Sequence, residues 1–225
     1  MTEGGSLGMT EGGSLGMTEG GSVGMTEGGS VEMTNWIQAI EIFATVTGIA
    51  YVVLEVLQKN AMWVLGILTG IACAVSFGVQ HVWASMGLNL YYVAMSVVGL
   101  VQWRKASGQV GEGEIHLQAI PKQVAVWSAV LLVVGSVTLI QVLRLTGDAA
   151  PVLDGTAAVL SVIGTWWLAQ SYLQQWLLWI VADVLSTALC ISTGQYWMAA
   201  LYALYTLSAV YGYSHWKKNG KWVQA

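Results

Sequence analysis

Charged residues are scarce in this 225-residue chain: Asp, Glu, Lys and Arg make up 9% of it, against about 25% in an average soluble domain. Hydrophobic residues make up 56%. A protein of this size cannot bury so much apolar surface in one core while covering its outside with so few charges. The composition therefore excludes an ordinary water-soluble protein and predicts that lipid surrounds much of the chain.

Sequence motifs for energy coupling and for catalysis are also missing. The chain has no GxxxxGK[ST] phosphate loop, no HExxH zinc motif and no GxSxG nucleophile motif. Its two cysteines, Cys73 and Cys190, lie in separate apolar runs, and we interpret them as small buried hydrophobic residues. We therefore expect neither an enzyme nor an ATP-driven pump, and no metal or cofactor.

The formal net charge of −4 comes from the N-terminal segment. Residues 1–32 are four copies of the octapeptide MTEGGSLG or close variants, and they contain five of the twelve acidic residues. The rest of the chain is nearly neutral, which argues against a nucleic-acid partner. Paired glycines and low apolar content predict that the repeat is disordered. Translation from Met1 and translation from Met33 both remain open.

Long apolar runs dominate the remainder of the chain. The hydrocarbon core of a bilayer is about 30 Å thick and requires about 20 apolar residues per helix. Runs of about that length predict seven transmembrane helices. They cover Trp36–Leu57, Ala61–Val79, Trp83–Trp103, Gln123–Leu143, Gly155–Tyr172, Gln175–Ser192 and Tyr196–Trp216.

The distribution of basic residues predicts the orientation of these spans. With the N-terminus outside, Arg144 is the one basic residue on the outer side, and the other seven are cytoplasmic. Positive charges concentrate on the cytoplasmic side of membrane proteins, and an even number of spans would scatter these residues over both faces. We therefore expect seven spans with the C-terminus in the cytoplasm.

Shifting the chain against itself by 113 residues reveals an internal repeat. This offset pairs Trp63 with Trp176 and Gly99 with Gly212, and it continues without a gap through three spans. The fold class we expect is all-α integral membrane, with two parallel three-helix repeats joined by a fourth helix in a 3+1+3 plan. The predicted domains are 1–32 (repeat tail), 33–105 (first three helices), 106–148 (linker helix) and 149–225 (last three helices and tail).

A polar stripe on the sixth span is the strongest candidate site. Trp176, Trp179 and Asp183 are spaced i, i+3 and i+7, so they share one helical face. An ionisable group near the bilayer centre is costly unless it faces water or a partner. Indole faces and a carboxylate together suit a flat cationic ligand. In the alternative interpretation, Trp176 is an interface anchor, Trp179 packs in the core, and Asp183 is bonded to a neighbouring helix.

Weaker polar faces lie on the third and seventh spans. Asn89, Tyr92 and Ser96 repeat the i, i+3, i+7 spacing, and Tyr205 with Tyr202 forms a similar face. Polar groups at membrane depth need a ligand, water or a neighbouring helix as partner. Bonds between helices explain these residues as well as a substrate does.

The remaining polar and aromatic groups have simpler interpretations. Glu41 and Glu55 lie near the ends of the first span, where capping or interfacial hydration is expected. We expect His81, His116 and His215 to be solvated, because they fall in loops or at span ends. Tryptophans at the span ends are typical of an interfacial belt. These are Trp36, Trp83, Trp103, Trp197 and Trp216.

Several motifs resemble the PnuC family of vitamin-precursor transporters over nearly all of Met33–Lys218. The most specific match is the sixth-span segment Gln175–Asp183, which is similar to the family's WxxW followed by Asn or Asp. Further matches are Trp63–Ile67, Ala84–Tyr92 and Leu201–Tyr205. The family resembles the SWEET sugar transporters in its 3+1+3 plan.

The resemblance implies import of nicotinamide riboside by facilitated diffusion through a bacterial inner membrane. A cytoplasmic kinase, without necessary contact, would then trap the substrate by phosphorylation, and a homo-oligomer, a trimer, is expected. Nicotinamide riboside carriers have Gln in the third helix, where this chain has Asn89. They have Asn after the WxxW motif, where this chain has Asp183. Thiamine-type PnuT relatives are similar at both positions, so thiamine, or another vitamin such as riboflavin, is the alternative. A sensor or structural subunit is less favoured, because the largest internal loop is Arg104–Lys122.

Overall fold

The computed structural model describes residues 47–79, 83–111 and 113–223, with the backbone alone given for residues 76–79 and 83–85. The predicted repeat tail, Glu41 and His81 lie outside these residues. Seven helices lie in this described part of the chain. They are α1 (Thr47–Val56), α2 (Ala61–Val79), α3 (Trp83–Val110), α4 (Lys122–Thr146), α5 (Pro151–Ala169), α6 (Gln175–Ser192) and α7 (Tyr196–Asn219).

Helix boundaries follow local chain chemistry. The predicted bounds of α2 and α6 are confirmed. Helix α4 follows Pro121 and ends at Gly147, whose φ of 82° is left-handed and is adopted most readily by glycine. Helix α5 starts at Pro151, four residues before the predicted start, because proline fits the first turn of a helix. Helix α3 continues to Val110, since polar residues beyond a span do not stop a helix.

Four of the described helices are long and apolar enough to cross a membrane, namely α4, α5, α6 and the Met86–Val110 part of α3. Helix α5 lies at the centre, because 67% of its apolar window is buried against 11% for α4, and it packs against α3, α4 and α6. The Tyr91 hydroxyl donates a hydrogen bond to the Val162 carbonyl at 2.7 Å and so joins α3 to α5. The outer face of α4 is apolar and exposed.

Two turns 113 positions apart have the same backbone conformation. Gln58 after α1 and Ser171 after α5 have left-handed φ values of 49° and 57°. The amide nitrogens of the following residues, Lys59 and Tyr172, donate to the carbonyls of Leu54 and Trp167, which are also 113 positions apart. Each turn therefore reverses the chain into the next helix by the same pattern of bonds.

Four tryptophans close one end of the helix bundle, and we call them the indole plug: Trp63, Trp103, Trp176 and Trp216. Their ring centroids lie 5.0 Å (Trp63–Trp103), 6.1 Å (Trp103–Trp216) and 5.3 Å (Trp176–Trp216) apart, with edge-to-face geometry. Such aromatic pairs contribute about 0.5–1.5 kcal/mol each beyond the area they bury.

The indole plug corrects the prediction that Trp103 and Trp216 belong to an interfacial belt. Both are fully buried, and their Nε1 atoms donate to the carbonyls of Leu168 (3.2 Å) and Val56 (2.9 Å). The two pairs link the first three helices to the last three. Trp197, by contrast, is 90% exposed, as an interfacial residue would be.

Two short strands fasten the same end of the bundle, and with Gln58 they form what we call the clasp. Strand β1 (His116–Leu117) pairs in parallel with β2 (Lys221–Trp222) just after α7. The Gln58 side chain donates to the His116 carbonyl at 3.0 Å and accepts from the His116 amide at 2.7 Å. The loop before α4 and the C-terminal tail are thus tied to the turn after α1.

The clasp also corrects the expectation that His116 is solvated. Its side chain is 1% exposed and packs edge-on against Trp103, with ring centroids 5.8 Å apart. Burial lowers the pKa of His116 to about 4, against the opposing effect of a backbone hydrogen bond at Glu114. His116 is therefore neutral at physiological pH. His215 is partly exposed, as expected.

Candidate functional site

A cavity of about 840 Å³, part of it open to solvent, lies among six of the helices. Helices α1, α2, α3, α5, α6 and α7 all contribute to its wall. Within the described part of the chain, sixteen residues line it: Gly48, Tyr51, Val52, Glu55, Gly66, Thr69, Gly70, Asn89, Tyr92, Ser96, Thr165, Trp176, Trp179, Asp183, Tyr205 and Ala209.

All seven residues predicted for the site line this one cavity. On α6, the i, i+3, i+7 stripe brings Trp176, Trp179 and Asp183 to its wall, and their exposed fractions are 2%, 7% and 3%. The Trp179 ring lies against Gly164 of α5, where an added Cβ would come within 3.2 Å of the indole. A glycine at this position therefore lets α5 approach the ring closely.

The third and seventh helices supply the hydrogen-bonding part of the wall. Asn89, Tyr92 and Ser96 face the cavity from α3, and Tyr205 faces it from α7. Ser96 lies opposite Gly66 of α2, where a Cβ would approach the serine oxygen to 2.8 Å. Amide and hydroxyl groups on one side thus face the indoles and the carboxylate on α6. This arrangement can hold a flat ring with hydroxyl substituents.

Glu55 is a cavity residue that the sequence interpretation missed. It was expected to cap the first span or to be hydrated, but it is 5% exposed and lines the cavity. The difference arises because α1 ends inside the bundle, where Trp216 bonds the Val56 carbonyl. A signal was present: Gly48, Tyr51 and Glu55 are spaced i, i+3, i+7, as on α6.

The electrostatics of the cavity are one-sided. Of the lining residues that the structure describes, Glu55 and Asp183 are the two acidic ones, and none is Lys, Arg or His. The two carboxyl groups come from different helices, and their charges interact. Among the residues that the structure describes, no group of three or more His, Cys, Asp or Glu side chains could hold a metal ion. The cavity is therefore suited to a cation rather than an anion.

A family model described as nicotinamide mononucleotide transporter matches residues 38–218 of the chain. That match spans the described helices and starts after the octapeptide repeat. It agrees with the resemblance stated on the sixth-span motif and the tyrosine motif of the seventh helix.

Individual relatives point in the same direction. The chain is 32% identical over 195 residues to the nicotinamide riboside transporter PnuC of Neisseria mucosa, covering 82% of this chain and 73% of that protein. It is 24% identical over 212 residues to the protein of that name from Escherichia coli, covering 83% and 87%. A crystal structure of the vitamin B3 transporter PnuC superposes with a TM-score of 0.58 at 29% identity, covering 87% of this chain and 92% of that chain.

Proposed function

Because the chain belongs to the nicotinamide mononucleotide transporter family, we propose that it imports nicotinamide riboside. The observation that carries this proposal is the cavity in which Trp176, Trp179 and Asp183 form one wall. Two relatives from Neisseria mucosa and Escherichia coli are named as transporters of this compound. The protein is a membrane transporter, and the cavity is its substrate site.

The chemistry of the cavity matches that of the substrate. The pyridinium ring of nicotinamide riboside is a flat cation, and a desolvated cation–π contact with an indole contributes up to about 2 kcal/mol. Asp183 supplies a negative charge for the ring or an acceptor for the ribose hydroxyls. Asn89, Tyr92 and Ser96 offer further partners for those hydroxyls.

The same cavity favours the riboside over the mononucleotide. A phosphate group would bring negative charge beside Glu55 and Asp183, and the described lining holds no cationic side chain to receive it. Juxtaposed like charges cost several kcal/mol when water is excluded. The transported form is therefore the unphosphorylated one. A cytoplasmic kinase, acting without contact with the transporter, traps the product after entry.

Thiamine is the second candidate substrate. It is also a flat heterocyclic cation, and both positions at which the chain departs from the nicotinamide riboside pattern, Asn89 and Asp183, line the cavity. Riboflavin is a weaker candidate, because a neutral ring gains nothing from two carboxyl groups.

The wider architecture of the proposal is a 3+1+3 carrier in the inner membrane that works by facilitated diffusion. It is supported by the matching turns at Gln58 and Ser171 and by tryptophans that lie against glycines in both halves. We place the N-terminus outside, on the basis of the seven basic residues assigned to the cytoplasmic side. Assembly as a homo-oligomer, a trimer, rests on the family resemblance.

Uptake into proteoliposomes tests the proposal. The full chain should carry nicotinamide riboside down its gradient without ATP, and Trp179→Ala should reduce uptake about tenfold through loss of one ring contact. The matched control is Trp127→Ala, because that indole is 69% exposed on α4, away from the cavity. Equal uptake by the Trp179 variant and the control would contradict the assigned site, and uptake of thiamine alone would reassign the substrate.

A further inference from the structure

The indole plug separates the cavity from the clasp. Trp176 lines the cavity and packs on Trp216. Trp103 packs on Trp216 on one side and on the His116 ring of the clasp on the other. With Trp63, the indoles of the plug are at most 2% exposed, so this layer of the described bundle is closed. Because a carrier opens its site to each side in turn, a solute can leave at this end only after the rings have moved apart.

Contacts in the plug are closer within each half of the bundle than between the halves. Within a half, one indole lies against a glycine so closely that a methyl group would not fit. The two pairs are Trp63–Gly99 and Trp176–Gly212. Ring centroids lie 5.0 and 5.3 Å apart within the halves, but 6.1 Å apart between Trp103 and Trp216. The plug therefore divides most readily along the boundary between the halves.

The clasp segment 115–118 spans this boundary and is hydrogen-bonded differently on its two sides. Towards the second half the bonds join backbone to backbone. Two amides of the tail after α7 donate to segment carbonyls at 2.8 Å, and the Gln118 amide donates to the Ser171 carbonyl at 3.1 Å. Towards the first half the Gln58 side chain donates to the His116 carbonyl at 3.0 Å and accepts from its amide at 2.7 Å. A side chain releases such bonds by rotating, whereas paired backbones must move as whole segments.

We propose that Gln58 is a latch: its two hydrogen bonds to the His116 backbone hold the plug closed, and their release lets the halves part at this end. The clasp segment then stays paired with the tail of the second half. The Tyr91–Val162 bond also joins the halves, but it lies about 18 Å from Trp103 along α3 and remains intact as they tilt. This inference rests on the proposed function and adds to it the side chain that sets how often the cavity opens here.

The chain between α3 and the clasp segment can accommodate the tilt. Gly111 and Gly113 lie there, with left-handed φ values of 108° and 86°. Glycine rotates through backbone regions that are closed to other residues. Helix α3 can therefore move with the first half while the clasp segment stays with the second.

Labelling of a cavity cysteine from each face of the membrane tests the latch. The reporter is Val52→Cys on the cavity wall, in the full chain with Cys73 and Cys190 replaced by Ala. A membrane-impermeant methanethiosulfonate is added to vesicles of either orientation. From the clasp face, Gln58→Glu, which keeps one of the two bonds, should label about fivefold faster, and Gln58→Leu, which keeps neither, more than about tenfold faster. From the opposite face, labelling should not rise.

Lys221→Ala is the matched control. It removes an ion pair with Glu114 (3.2 Å) on the other side of the clasp segment, where both side chains are about half exposed. Exposed pairs contribute little, so labelling should stay within about twofold of the parent. Binding of nicotinamide riboside or thiamine by Gln58→Glu, followed by tryptophan fluorescence, should stay close to that of the parent, because the cavity wall is unchanged.

Unchanged labelling from the clasp face in the Gln58 variants would overturn the latch and leave the transporter assignment intact. Faster labelling from both faces would overturn it too, because that result indicates general loosening of the fold. An equal gain in Lys221→Ala would place the release on the side of the second half. If Gln58→Leu fails to fold, the Gln58→Glu measurement decides. Absence of uptake and of binding of both compounds by the wild type would refute the proposed function, whatever the labelling shows.

Discussion

The first three helices, α1–α3, and the last three, α5–α7, agree at the closed end of the bundle and differ at the cavity. At the closed end, Trp63 lies against Gly99 as Trp176 lies against Gly212. In the cavity, the positions of the first half that correspond to Trp179 and Asp183 hold Gly66 and Gly70. The halves are alike where they pack against each other and unlike where they line the cavity. There the first half has two glycines, and the second half has an indole ring and a carboxyl group.

Between α1 and α5, the acidic residue is in the first half instead of the second. Glu55 of α1 corresponds to Leu168 of α5 at the same offset, so the first half carries an acid where the second carries a buried aliphatic side chain. Charge is therefore contributed to the cavity from both halves, but from different helices. A two-fold copy of one site would have placed identical groups on both walls.

The largest expected effect comes from removing the charge that the second half contributes. Asp183→Ala should weaken cation binding about 100-fold or more, because truncating one partner of a buried charge pair costs about 2–5 kcal/mol. Gly70→Ala adds only a methyl group, whose nearest neighbour is Val93 Cγ2 at 2.7 Å, and should cost about threefold to tenfold. Fluorescence titration measures both. Equal losses of cation affinity in the two variants would contradict the view that the second half contributes charge to the cavity and the first half contributes space.

Acidification should destabilise the protein through a residue that contacts the turn of the first half. The Gln58 side chain bonds the backbone of His116, whose buried ring titrates, whereas the Ser171 carbonyl accepts from the backbone amide of Gln118, whose side chain does not titrate. Because the folded-state pKa of His116 is lowered to about 4, the unfolded chain alone gains this proton between pH 6.5 and about 4. The free energy of unfolding should fall by up to about 3 kcal/mol over that interval and be constant above it.

Thermal unfolding in detergent at several pH values measures this effect. His116→Phe keeps an apolar ring and should flatten the difference between acidic and neutral pH. An unchanged pH dependence in that variant would assign the acid sensitivity to other groups.

Adding a methyl group under the indole plug should damage both halves equally. A Cβ at Gly99 would lie 2.4 Å from the Trp63 ring, and one at Gly212 would lie 2.5 Å from the Trp176 ring. Each alanine should cost about 2 kcal/mol of stability, since the buried rings have no room to move. Gly108→Ala on α3 meets open space and should stabilise slightly. Unequal losses of stability in the Gly99 and Gly212 variants would show that the two halves are not packed alike at the indole plug.

The smallest effect concerns the two left-handed turns. Ser171→Gly should raise stability by about 0.5 kcal/mol, because glycine adopts a φ of 57° without the penalty of a side chain. Gln58→Gly gains the same relief but loses the two bonds to His116, so it should lower stability by about 1 kcal/mol. The unfolding temperatures of the two variants test this prediction. A higher unfolding temperature in both would show that the clasp contributes little to stability.

Periodicity and span length were sufficient to predict much of this molecule. The bounds of α2 and α6 and the shared face of Trp176, Trp179 and Asp183 follow from local patterns. The burial of Trp103, His116 and Glu55 does not, because it depends on contacts between distant segments. The bond from Trp216 to Val56 joins residues 160 positions apart, and nothing in either local sequence specifies that partner. Their positions at or beyond the ends of predicted spans indicated exposure to water. Packing between the two halves of the bundle buries them instead.

The indole plug has an optical consequence. Excitation passes between neighbouring indoles by resonance transfer, which is efficient at the 5.0–6.1 Å separations found here. Trp176 belongs both to this chain of rings and to the cavity wall. A heterocycle that stacks on Trp176 therefore drains light absorbed by all four rings, while the exposed Trp127, Trp197 and Trp222 continue to emit. If the cavity is the substrate site proposed above, one contact at Trp176 should quench the fluorescence of the four linked indoles and so report occupancy.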